Sequence, residues 1–89
     1  MMDLDQAHTF STRHRESLEN SDRAGCFHCC AIFDPTEIDE WIEENSFADR
    51  PAGFTAMCPR CGIDAVLAEA DVPLSTEFLK QMYKRWFDE

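Results

Sequence analysis

Four of the five cysteines fall in two pairs of identical spacing, Cys26/Cys29 and Cys58/Cys61, with twenty-eight residues between the pairs. A two-residue gap lets both thiolates of a pair face one ion, because the backbone turns around it and offers N–H groups to the sulfurs. Two such knuckles supply four thiolates at about 2.3 Å in a tetrahedron, the donor set of a structural zinc ion. The interval exceeds the usual spacing of roughly 15–20 residues, so more than one simple hairpin must lie inside it. The second knuckle, Cys58-Pro59-Arg60-Cys61-Gly62, carries a proline that pre-sets the turn and a glycine that permits positive φ. The first, Cys26-Phe27-His28-Cys29-Cys30, has cysteine where that glycine would stand, and Gly25 is expected to relieve the strain from the other side.

The other uses of cysteine are weaker. Disulfides require an oxidising compartment, and the acidic N-terminus has no apolar h-region to export the chain, so a cytoplasmic location is expected. Redox-active Cys-x-x-Cys pairs sit in a βαβ pattern that this sequence lacks. Iron bound by the same four thiolates is the alternative metal. Cys30 reads as a small buried hydrophobe, and His28 becomes a ligand only if the register slips.

Eighty-nine residues suffice for one domain, read here as spanning 1–89 with 1–7 frayed. A chain of this size buries only about 60% of the surface it exposes when unfolded, so a metal staple is physically reasonable. A helix is expected over His8–Asn20, with a thin stripe of Phe10, His14 and Leu18. Ala31–Phe33 reads as a short strand. Asp34-Pro35-Thr36-Glu37 carries a helix start with a cap, a proline and a capping-box glutamate. Ile38, Trp41 and Ile42 then give an acidic helix one apolar face. A loop follows over 47–53, and Phe54–Met57 reads as β. Residues 63–68 stay open between strand and helix. Ser75 caps a final helix whose stripe runs through Phe78, Leu79, Met82, Tyr83, Trp86 and Phe87. The expected class is α+β: a zinc-ribbon-like domain with two knuckles around a short antiparallel sheet, an inserted acidic helix, and helices at both ends.

Several segments together resemble a family of small bacterial cytoplasmic proteins. They are Phe10-Ser11-Thr12-Arg13-His14-Arg15-Glu16, Gly25-Cys26-Phe27-His28-Cys29, Ile32-Phe33-Asp34-Pro35-Thr36-Glu37-Ile38-Asp39-Glu40-Trp41, Thr55-Ala56-Met57-Cys58-Pro59-Arg60-Cys61-Gly62-Ile63-Asp64, and the Phe78–Phe87 ending. The resemblance covers most of the chain and implies a zinc-ribbon-like protein, with no activity attached. The chain departs from the family's form around Ala65–Ala70 and at Cys30, where the family is more often aliphatic.

Four thiolates close the coordination sphere and leave the ion a poor Lewis acid, which argues against zinc catalysis. The net charge of −10 opposes binding to nucleic acid, and no stretch is long and apolar enough to span a membrane. Between Asp34 and Asp49 stand seven carboxylates and no basic residue. Such a run is commonly a solvated face. It also suits docking on a basic protein, with Glu40, Glu43 and Glu44 as the contact face of an inhibitor or regulatory module. Trp86 and Phe87, at the fraying end of the last helix, suggest a homodimer through that helix. The alternative is a zinc-scaffolded enzyme or nucleic-acid binder working through His14, Arg13 and Arg15, although consecutive helical residues fan out by about 100° each.

Overall fold

The computed structural model describes residues 3–45 and 53–87. It is an α+β fold with two small antiparallel sheets. Strands β1 (Ala24–Cys26), β2 (Ile32–Phe33) and β5 (Val66–Ala68) form one sheet in the order β2-β1-β5, and β3 (Trp41–Glu44) pairs with β4 (Gly53–Ala56) in the other. Helices α1 (Leu4–His8) and α2 (Arg15–Glu19) precede the sheets and α3 (Thr76–Trp86) follows them. The central strand β1 is buried throughout, as is β5, and Ala24, Gly25 and Cys26 face Ala68, Leu67 and Val66 across the register. Small residues on β1 let the chain above it approach closely.

The capped terminal helix forms as expected. Ser75 accepts the Phe78 N–H at 3.0 Å, and Phe78, Leu79 and Met82 are buried. Leu79 lies directly over β1. A Cβ added at Gly25 would meet Leu74 Cδ1 at 2.8 Å and Leu79 Cδ1 at 2.9 Å. Gly25 thus sits in close contact with two leucine side chains, which a β-carbon would have to displace, and its backbone is not in the left-handed region that strain relief for the knuckle would use.

The N-terminal region corrects two expectations. Of residues 1–7, read as frayed, Leu4–Ala7 join His8 in α1, which Asp3 caps and which buries Ala7 completely. The single helix expected over His8–Asn20 is broken instead: Thr9–Ser11 make one 3-10 turn, Thr12 is extended, and Arg13 takes φ +52°. The cause is tertiary. Arg13 N–H donates to Thr55 Oγ1 at 2.9 Å and His14 N–H to Phe54 O at 3.0 Å, so β4 takes up N–H groups that a continuous helix would have used.

The inserted acidic helix is absent. The capping box at Asp34 and Glu37 forms, but it starts only the 3-10 turn Pro35–Glu37, after which Ile38 is extended and Trp41–Glu44 become β3. In a helix, Asp39/Glu43 and Glu40/Glu44 would be like-charge i,i+4 pairs, which destabilise it. A strand instead suits Trp41 and Ile42 and lets β3 pair with β4 in the register Trp41↔Ala56 to Glu44↔Gly53. Glu44 then lies 3.8 Å from Arg13. In the ambiguous 63–68 stretch, Val66–Ala68 form β5 and residues 63–65 are irregular. The loop expected over 47–53 lies, apart from Gly53, outside the described residues.

Replacing Gly25 with alanine should force Leu74 and Leu79 apart. We expect Gly25→Ala to lose about 1–3 kcal/mol in urea unfolding of the metal-loaded protein, with its metal content unchanged.

Candidate metal centre

Each knuckle is built by the same local bonds. In the first, Cys26 N–H donates to Ala31 O, Cys30 N–H to Cys26 O at 2.8 Å, and His28 N–H to Cys26 Sγ at 3.3 Å. In the second, Cys58 N–H donates to Ile63 O, Gly62 N–H to Cys58 O at 3.0 Å, and Arg60 N–H to Cys58 Sγ at 3.3 Å. This loop needs a left-handed residue four positions after its first cysteine. Gly62 fills that place at φ +79°, and Cys30 fills the matching one at φ +61°. A β-carbon there is strained by roughly 1–2 kcal/mol, so the first knuckle is the more strained of the two.

The sheet brings the knuckles together. β1 ends on Cys26, β5 follows Cys61, and the strands pair antiparallel, with one further bond from Phe27 N–H to Ala65 O at 3.0 Å. The four sulfurs of Cys26, Cys29, Cys58 and Cys61 consequently all lie within 4.8 Å of one another. Cys26 and Cys61 are 3.6 Å apart, and Cys29 and Cys58 are 3.7 Å apart. A tetrahedron with metal–sulfur distances of 2.3 Å has edges of about 3.8 Å, so the cluster is of the right size for one ion.

The thiols differ in their readiness to ionise. Burial pushes Cys26 and Cys61 up from the ordinary thiol range. Burial also acts most strongly on Cys58, yet the N–H groups of Cys61 and Arg60 outweigh it and leave this thiol below its usual value. Cys26 and Cys58 are buried, Cys61 is partly covered and Cys29 is exposed, so the centre has a closed side and an open side.

Aromatic rings flank the first knuckle. Phe87 at the end of α3 lies 5.6 Å from Phe27 and edge-on to His28 at 4.9 Å, while Trp86 stands 4.1 Å from His8. These contacts hold the end of the helix against the knuckle, although Tyr83, Trp86 and Phe87 each remain more than a third exposed. His28 is not among the clustered ligand atoms. Cys30 is half-buried, and burial and the neighbouring Cys29 raise its pKa while Lys80 lowers it.

His14 lies in the interior. It is 4% exposed, and neither ring nitrogen makes a well-formed hydrogen bond, the Val66 carbonyl interacting with the ring without closing one. Arg13 is near Glu44, and Arg15 lies over the rings of Trp41 and Phe54 and near Glu19. The three residues turn in different directions because the chain breaks at Arg13. A separate groove was illegible in the sequence: Leu18 and Glu19 of α2, Asp34 and Pro35 of the capped turn, and Trp41 of β3 enclose about 250 Å³. No local pattern joins residues so far apart in the chain.

Burial lowers the His14 pKa to about 4 from 6.5, with the Val66 carbonyl partly offsetting it. The unfolded chain therefore takes up a proton near pH 6.5 that the folded chain refuses until about pH 4, and stability falls as pH drops through that window. At about 1.4 kcal/mol per unit, metal-loaded protein should lose about 2 kcal/mol more than its His14→Leu variant between pH 6.5 and 5. Parallel urea titrations of the two proteins measure the difference, and equal slopes would remove His14 as the cause. Compared with family models, curated proteins and solved structures, the chain matches none.

Proposed function

We propose that this chain is a structural-zinc domain of the zinc-ribbon-like kind it resembles, acting without catalysis as a protein–protein interaction or regulatory module. The observation that carries the reading is the tetrahedral-sized cluster of four cysteine sulfurs. Zinc suits four thiolates, and a sphere closed by protein leaves no position for water or substrate. The ion ties β1 and β5 to the second knuckle in a fold with a small core, so its binding free energy becomes folding free energy.

The sharper form is an acidic inhibitor that docks on a basic, nucleic-acid-binding surface in the cytoplasm. Among the described residues, all five arginines lie beside a carboxylate: Arg13, Arg15, Arg23, Arg60 and Arg85 face Glu44, Glu19, Glu69, Glu37 and Asp5. Asp39, Glu40 and Glu43 are exposed and engage none of these cations. The exposed carboxylates thus run from Asp39 and Glu40 into Glu43 of β3, while Glu44, which a helix would have grouped with Glu40 and Glu43, turns to Arg13. Four thiolates around Zn²⁺ add two further negative charges. A second surface, the exposed Tyr83, Trp86 and Phe87, supports a homodimer through α3.

Two measurements test this. Chelating the metal should abolish the near-UV circular dichroism of the domain, because ~10–16 kcal/mol of zinc binding rivals its whole stability. An unchanged spectrum counts against a structural ion. Metal-loaded protein immobilised in nuclease-treated lysate of its own cell should retain one basic protein at low salt. That protein should be lost at high salt and after Asp39→Lys, Glu40→Lys and Glu43→Lys together. Recovery of nothing but the chain itself would exclude the docking reading.

A further inference from the structure

The groove between α2 and the Asp34–Thr36 turn has the chemistry of a receptor for one side chain. Leu18, Pro35 and Trp41 give it apolar walls, and Glu19 and Asp34 stand at its rim. At about 250 Å³ it lies below the roughly 300–1,000 Å³ of sites that enclose drug-sized ligands, a volume suited to one extended side chain. Its two hydroxyls are engaged elsewhere. Ser21 Oγ donates to Ser17 O at 2.8 Å and accepts the Ala70 N–H at 2.9 Å, and Thr36 Oγ1 donates to Asp34 Oδ1 at 2.9 Å. The acceptors left facing solvent are carboxylate oxygens. Asp34 accepts the Thr36 N–H and the Thr36 hydroxyl on Oδ1, its side chain also caps the Glu37 N–H, and the carboxylate remains exposed to solvent. Glu19 is held only by a loose 3.8 Å approach of Arg15. Among the described residues, no basic residue lines the groove.

An occupant must therefore offer an apolar stem and a cationic end. Trp41 already accepts such a group from its own chain, with the Arg15 guanidinium carbon 4.8 Å from the ring centroid. We propose that this groove receives a lysine or arginine side chain projecting from a basic protein, its methylenes against Leu18, Pro35 and Trp41 and its charge between Asp34 and Glu19. The inference deepens the docking reading and rests on it. It assigns the contact that orients the partner, whereas Asp39, Glu40 and Glu43 supply long-range attraction.

The test is an amide-shift titration of metal-loaded, isotopically labelled protein with blocked Gly-Gly-Arg-Gly-Gly. The lysine peptide and one carrying norleucine in place of arginine serve as comparisons. We expect the arginine and lysine peptides to shift the signals of Leu18, Glu19, Ser21, Thr36 and the Trp41 indole, at dissociation constants in the millimolar range. The norleucine peptide should leave them in place. The double variant Glu19→Gln/Asp34→Asn should weaken the response about tenfold and still fold, because asparagine caps a helical turn about as well as aspartate. Shifts spread over Asp39–Glu43 with none in the groove, or an equal response from the double variant, would overturn the assignment. A basic partner captured equally well by the double variant would defeat the groove and leave the docking reading standing. Peptide binding in the groove with no basic partner recovered would do the reverse.

Discussion

The antiparallel pairing of β1 with β5 is the contact on which the rest of the structure depends. It ends one strand on Cys26 and begins the other just beyond Cys61, and it thereby sets two distant knuckles around one point. The pairing is possible because β1 is Ala-Gly-Cys: its small side chains let Leu74 and Leu79 close over it. The buried face of α3 is thus coupled to the sulfur cluster through a single layer of backbone. A metal at that cluster and the packing of α3 reinforce each other, since both hold β1 in place.

The same economy explains the irregular N-terminal half. A small fold has few long elements to satisfy backbone polar groups, so the chain at Arg13 and His14 completes the hydrogen bonding of β4 rather than continuing a helix. This break costs a positive φ at Arg13 and seats His14 in the interior, where the weak approach of the Val66 carbonyl does not make up for lost water. The result is a buried neutral histidine that works against stability in acid.

Charge is distributed by the strands. On a helix the carboxylates after Asp34 would have formed one continuous face; on β3 they alternate. Glu44 turns to Arg13, while Asp39, Glu40 and Glu43 remain at the surface. The conversion also creates the groove, because Trp41 as a strand residue comes beside the capped turn and α2. The acidic surface and the proposed receptor for a basic side chain thus share one origin in the failure of the helix.

Local chemistry was legible in the sequence wherever it was self-sufficient. The two knuckles, the capping box at Asp34 and Glu37, the Ser75 cap and the buried Phe78-Leu79-Met82 face each depend on residues within a few positions of one another. The four cysteines that cluster are those their spacing singled out. The expected helix over Ile38–Glu44 fails, and the 63–68 stretch stays open, because both segments have balanced preferences. Ile38-Asp39-Glu40-Trp41-Ile42-Glu43-Glu44 carries a helical period of one turn and a strong β composition, and pairing with β4 decided it. Within 63–68, Val66–Ala68 became a strand because β1 offered an open edge. Gly25 serves the contact with Leu79 rather than the knuckle, and Cys30 rather than glycine holds the left-handed turn of the first knuckle. The sequence by itself determined the donor set and the helix caps, which are short-range. Only the tertiary structure decided which edges paired, because hydrogen-bond partners distant in the chain overrode weak local propensities.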